Sequence, residues 1–178
     1  MNENYQKVQH LSKMMKNVCT MIMVAIPIAH LLIWTNFEKA QSWGFYHRTS
    51  YDANYLLTSN LMAGFFVTGL LAFIAFIAIF ELRKFFIHNC EGDTFTIESA
   101  TALSRFSKSF VLYTIFSIPV ETLLSIAMSF NNPVGERTLT LSFQTYNFTL
   151  IFLSFVLFTI SWVIKESVNI ASENAQII

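Results

Sequence analysis

Four stretches of this chain carry almost no charge. Residues 18–37, 56–80 and 148–164 contain no Asp, Glu, Lys or Arg, and residues 110–130 contain one, Glu121. Each approaches the roughly 20 residues that a helix needs to cross about 30 Å of hydrocarbon. The pattern predicts an all-α integral membrane four-helix bundle. The first stretch is kept as a span and not read as a cleaved leader, because its uncharged core is 20 residues long and a polar segment of 17 residues precedes it.

Between the spans the apolar pattern continues at helical spacing. Phe85, Phe86 and Ile87 extend the second span, Glu91 to Thr94 read as a turn, and Ile97, Ala100, Leu103, Phe106 and Phe110 recur on one helical face. A helix starting near Thr96 and leading into the third span is expected, with Asp93, Thr94 or Thr96 accepting from its free amides and Glu98 at its positive end. The connection 81–109 is thus a helical extension between helices 2 and 3. In the leader 1–17, Val8, Leu11, Met15 and Val18 form a stripe flanked by Lys7, Lys13 and Lys16, as in a helix lying on an anionic leaflet.

Composition agrees with a membrane as solvent: 54% of the 178 residues are hydrophobic and 12% charged, against about 25% charged in soluble domains. The net charge is zero and no Lys/Arg run is present, which argues against nucleic acid as a partner. Basic residues set the expected orientation. Lys7, Lys13, Lys16, Arg83, Lys84, Arg105, Lys108 and Lys165 fall on one side and Lys39, Arg48 and Arg137 on the other, eight against three, so both termini and the tail 165–178 are expected to be cytoplasmic. Trp34, Phe37, Trp43, Phe45, Tyr46, Tyr51 and Tyr55 near the outer ends of two spans suit an interfacial belt. Cys19 and Cys90 then lie toward the reducing face and no Cys-x-x-Cys pair exists, which predicts neither a disulfide nor a thiol redox centre.

The turn Gly92-x-x-Phe95 after a membrane hairpin, the helix leading into a third span, and a fourth span running on into a tail with Glu173-Asn174 resemble the DUF2975 family of small bacterial four-helix membrane proteins. That resemblance implies a bacterial inner-membrane location and a small helix-turn-helix regulator as a possible partner. It implies no activity and no functional residues. Glu98-Ser99 and the ending Ala175-Gln176-Ile177-Ile178 depart from the family pattern.

Candidate chemistry is concentrated in the third span. Ser109, Tyr113, Ser117, Glu121, Ser125 and Ser129 recur at every fourth position and make one slowly winding polar stripe. A carboxylate in hydrocarbon is costly, about 2.5 to 3.5 kcal/mol for Asp on insertion scales, so Glu121 must be paired, hydrated or protonated. His30 matches it in depth: it is the thirteenth residue of its span and Glu121 the twelfth of its own, each about 17 to 20 Å from the inner boundary. If their helices are neighbours, His30 and Glu121 with Ser117, Ser125 and Tyr113 form a proton-linked or ligand-binding site. The plainer reading is interhelical hydrogen bonding worth about 0.6 kcal/mol per bond. Pro27 and Pro119 each free a carbonyl near these residues. Gly64, Thr68 and Ala72 offer a small face for close helix packing. Ala25-Ile26-Pro27-Ile28 and Ser117-Ile118-Pro119-Val120 hint at a parallel repeat.

No metal-ligand cluster, activated nucleophile or phosphate loop is present in the pattern, so neither an enzyme nor a cofactor is expected. Two functional readings stand. One is a noncatalytic sensor or regulatory protein that contacts a cytoplasmic partner through residues 81–109 and the tail. The other is a small transporter or channel component using the Glu121 stripe, in a homo-oligomer because four helices enclose little volume.

Overall fold

A computed structural model describes residues 3–45, 55–91, 96–141 and 145–177, and these are mostly helical with no strand among them. Helix α1 spans Glu3–Thr35, a short α2 spans Phe37–Ser42, and α3 spans Thr58–Glu91; α4 spans Ile97–Ser129 and α5 Thr145–Ile177. The four long helices are each apolar and long enough to cross a bilayer. The chain is a multi-pass membrane protein of all-α architecture.

The long helices outrun the membrane. Each has 33 or 34 residues, about 50 Å at 1.5 Å per residue, against about 30 Å of hydrocarbon. The leader accounts for part of this excess. It is not a separate helix lying flat: α1 runs unbroken from Glu3 through the first span, because no Gly or Pro interrupts residues 3–26 and helix propagation is cheaper than a break. At the other hairpin Thr96 is the cap of α4, its side chain accepting from Ser99 N at 3.2 Å, with Glu98 in the first turn. The Gly92-x-x-Phe95 turn lies outside the described residues.

The helices pack in chain order as a row. Along their lengths α1 lies against α3, α3 against α4 and α4 against α5, while the backbones of α1 and α4, α1 and α5, and α3 and α5 stay apart. In α1 the positions turned inward are Gln9, Ser12, Lys16, Cys19, Met23, Ile26, His30 and Ile33, all buried or half-buried. Their alternating spacing of three and four residues is that of a coiled-coil seam. Where that seam ends, Trp34 and Phe37 stack at 5.3 Å and join Leu124 and Met128 in the apolar core. These two aromatics are therefore core residues and not interfacial anchors, since α2 folds back at the helix end and covers them. Trp43, Phe45 and Tyr55 remain exposed, and Tyr46 and Tyr51 lie outside the described residues.

Hydrogen bonds between neighbouring helices set their register. Gln9 with Cys90 and Thr20 with Arg83 align α1 with α3, Asn89 with Ser99 and Asn60 with Ala127 align α3 with α4, and Ser107 with Ser161 aligns α4 with α5. Carried across the row, this register places Lys16, Arg83, Lys84, Arg105, Lys108 and Lys165 within about two helical turns of one level. They form a basic belt. Beyond it all four helices continue toward the end that carries both termini.

Candidate functional site

The polar stripe of α4 divides into parts with different partners. Ser117 donates to Thr114 O at 2.7 Å, and Ser125 donates to Thr122 O at 2.8 Å, so both hydroxyls return to their own helix. Ser125 also accepts from Thr140 N at 3.0 Å, and Ser129 accepts from Thr138 N at 3.1 Å. These two serines hold the extended segment after Gly135 along the last turns of α4. A loop without its own secondary structure has its amides satisfied in this way, which is the usual requirement for buried backbone.

His30 is placed away from this stripe. Its Nε2 donates to Phe65 O at 3.2 Å, its ring lies 4.7 Å from the Phe65 ring, and it sits beside Gly69. Because α3 stands between α1 and α4, the structure does not bring His30 and Glu121 together. The depth match holds, but the condition that their helices be neighbours fails. The carbonyl that His30 uses belongs to α3, so His30 ties α1 to α3.

Gly64 and Thr68 form the rest of that junction. The Trp34 indole Nε1 donates to Thr68 Oγ1 at 3.0 Å, and Thr68 donates on to Gly64 O at 2.8 Å. A Cβ on Gly64 would stand 2.1 Å from Trp34 Cη2, so only glycine admits the ring. Ala72 is half-buried one turn further along. Cys19, in the α1 seam, is buried and Cys90 half-buried; both are free thiols.

Glu121 and Tyr113 are half-buried on α4. The seam between α4 and α5 carries small polar side chains. Ser107 Oγ and Ser161 Oγ are 2.6 Å apart and both are buried. On α5 the buried positions Asn147, Ser154, Ser161 and Val168 recur every seventh residue, and on α4 the buried Ala100, Ser107, Thr114 and Met128 fall on one seven-residue series with the half-buried Glu121. Counting back from the Ser107–Ser161 contact, Thr114 stands level with Ser154 and Glu121 with Asn147. Glu121 is therefore level with the buried Asn147 of α5, between the Ser117 and Ser125 turns of its own helix. Asn147-Phe148-Thr149 has the Asn-x-Thr pattern of a glycosylation acceptor, and burial closes it to that chemistry, since Asn147 is 2% exposed. The arrangement can accept a hydrogen-bond donor, a proton or a small cation. Among the described residues no three His, Cys, Asp or Glu side chains are grouped to hold a metal.

Sequence reasoning missed two clusters. Asn60 joins α3 to α4, its Nδ2 donating to Ala127 O at 2.8 Å and its Oδ1 accepting from Leu57 N at 3.1 Å and from Asn131 Nδ2. Glu81 is 9% exposed at the basic belt; its Oε1 pairs with Lys84 Nζ at 2.9 Å and its Oε2 is buried without a hydrogen-bond partner among the described residues. The signal was present in both cases. Asn60 is an amide near the head of an apolar run, and Glu81 is the first acid after one. No family model, curated protein or solved structure matches the chain.

Proposed function

We propose that this chain is a noncatalytic sensor or regulatory protein of a bacterial inner membrane, with both termini cytoplasmic, that passes a change around Glu121 to a cytoplasmic partner. The observation that carries the reading is the continuation of all four membrane helices beyond the basic belt. Charge bias puts that belt at the cytoplasmic face, so the protruding ends, with the α3–α4 hairpin at their centre, are the surface offered to a partner. α4 is the connecting element: it holds Glu121 in its membrane half and begins at the Thr96 cap of the hairpin. A rigid helix that carries a polar cluster at one level and a partner surface at another is a physical route for coupling. The DUF2975 resemblance supports the same assignment and favours a small helix-turn-helix regulator as the partner.

The test uses the full chain in lipid nanodiscs. Hydrogen exchange across residues 97–108 is compared between wild type and Glu121→Gln, and the same proteins are assayed for ion flux in proteoliposomes. The reading expects exchange in the hairpin to change several-fold with no flux in either protein. Unchanged exchange would remove the coupling, and flux abolished by Glu121→Gln would put the transporter reading in its place.

A further inference from the structure

The row has two unclosed edges. Among the described residues α1 runs along α3 and the short α2, meeting α4 side chains just at the Trp34–Phe37 end, and α5 runs along α4, so each leaves its opposite face without a helix beside it. In the membrane, lipid covers such a face. Beyond the basic belt it does not, yet both edges stay apolar there: Leu11 is 56% and Met14 51% exposed on α1, and Ile170 is 52% exposed on α5.

The two edges match in spacing, level and charge. On α1 the residues facing away from α3 include Leu11, Met14 and Val18; on α5 those facing away from α4 include Ile170, Glu166 and Val163, and all six are exposed. Each set alternates spacings of three and four residues, the requirement for a helical seam. The hydrogen-bonded register carried across the row puts Leu11 level with Ile170, Met14 with Glu166 and Val18 with Val163, to within about one turn. The charges are complementary: the protruding part of α1 carries the exposed Lys7 and Lys13, while that of α5 carries the exposed Glu166 and Glu173. α1 and α5 also run in opposite directions, so setting one beside the other continues the alternation of the row.

Within one chain these edges do not touch. We infer that the protein is a two-fold dimer in which α1 of each copy packs antiparallel on α5 of the other, closing two open rows about an axis along the membrane normal. Both interfaces are then identical, as closed two-fold symmetry requires. Lipid fills the membrane part of the seam less tightly than a helix, and the protruding parts bury apolar side chains that otherwise face water.

The test co-expresses two differently tagged full-length chains, one carrying Leu11→Cys and the other Ile170→Cys. After mild oxidation of membranes, a disulfide joining the two tags is expected, and it must exceed that formed when either variant is paired with the wild-type chain. Subunit counting by single-molecule photobleaching in lipid bilayers is expected to show dimers for wild type and a dimer fraction at least tenfold lower for Leu11→Asp. Helix content should be unchanged, because Leu11 is exposed in the monomer. A wild-type chain counted as monomeric, a Leu11→Asp variant that dimerises normally, or a disulfide formed only within a chain carrying both cysteines would each overturn the inference.

Discussion

Gly64→Ala probes the junction on which α1 and α3 are fitted. The new methyl carbon would stand 2.1 Å from Trp34 Cη2 and 2.7 Å from Cζ3, whereas carbon atoms pack at about 3.5 to 4.0 Å. One partner must move by about 1.5 Å. The indole cannot swing aside cheaply, since it is 7% exposed, hydrogen-bonded to Thr68 and stacked on Phe37. Overpacking of this kind costs about 1 to 3 kcal/mol, and losing the Trp34–Thr68 bond adds about 0.6 kcal/mol in a membrane protein. Alanine returns up to about 1 kcal/mol as the better helix former, on a scale measured in water. The net expectation is a loss of about 1 to 3 kcal/mol, or roughly five-fold to more than a hundred-fold in the unfolding equilibrium. Unfolding by SDS titration in mixed micelles, followed by circular dichroism, measures it. Trp34→Phe removes the clashing atoms, so the double variant should be at least about 1 kcal/mol more stable than the sum of the single effects requires. A Gly64→Ala protein as stable as wild type would refute this reasoning, because the ring would then have room the structure does not allow.

Substitutions at two further positions examine the other helix pairs. Asn60→Leu removes the bond to Ala127 O and leaves Leu57 N and the Asn131 amide without their acceptor, so a loss of about 1 to 3 kcal/mol is expected, with faster hydrogen exchange confined to residues 56–61 and 127–132. Ser161→Ala should cost about 0.6 kcal/mol or less, whereas Ser161→Leu, facing Ser107 at a 2.6 Å hydroxyl contact, should cost about 1 to 3 kcal/mol by overpacking and widen the α4–α5 separation read by paired spin labels. Equal effects of the two Ser161 variants would show that close approach is not what the serine provides.

Much of the helical layout was legible because its causes are local. Hydropathy located the four long helices, and Thr96 with Glu98 marked the start of α4 as polar groups that satisfy free amides. The leader was misjudged for a comparable reason. Val8, Leu11, Met15 and Val18 made a convincing apolar stripe, yet the face turned to α3 carries Gln9, Ser12, Lys16 and Cys19, and three of the stripe's four residues are exposed. In water the apolar face marks the packed side. In this leader small and polar residues mark it instead, and the apolar stripe lies on the edge that no other long helix of the chain covers. Trp34 and Phe37 illustrate the same limit, since aromatic position in a sequence does not distinguish a belt residue from one covered by a following turn of helix.

Depth and lateral order differ in the same way. The count of residues from a span's end is fixed by the rise of a helix, so the sequence by itself determined that His30 and Glu121 lie at comparable depth, that four helices cross, and that the basic residues gather toward one end. Which helices are neighbours depends on side-chain fit between segments far apart in the chain, and no periodicity encodes it. Only the tertiary structure decided that α3 separates α1 from α4, that His30 binds a carbonyl of α3, and that Glu121 stands level with Asn147 of α5. The physical reason is that insertion is an interaction of each segment with lipid, whereas helix order is set by small mutual contacts such as Trp34 on Gly64 and Ser107 on Ser161.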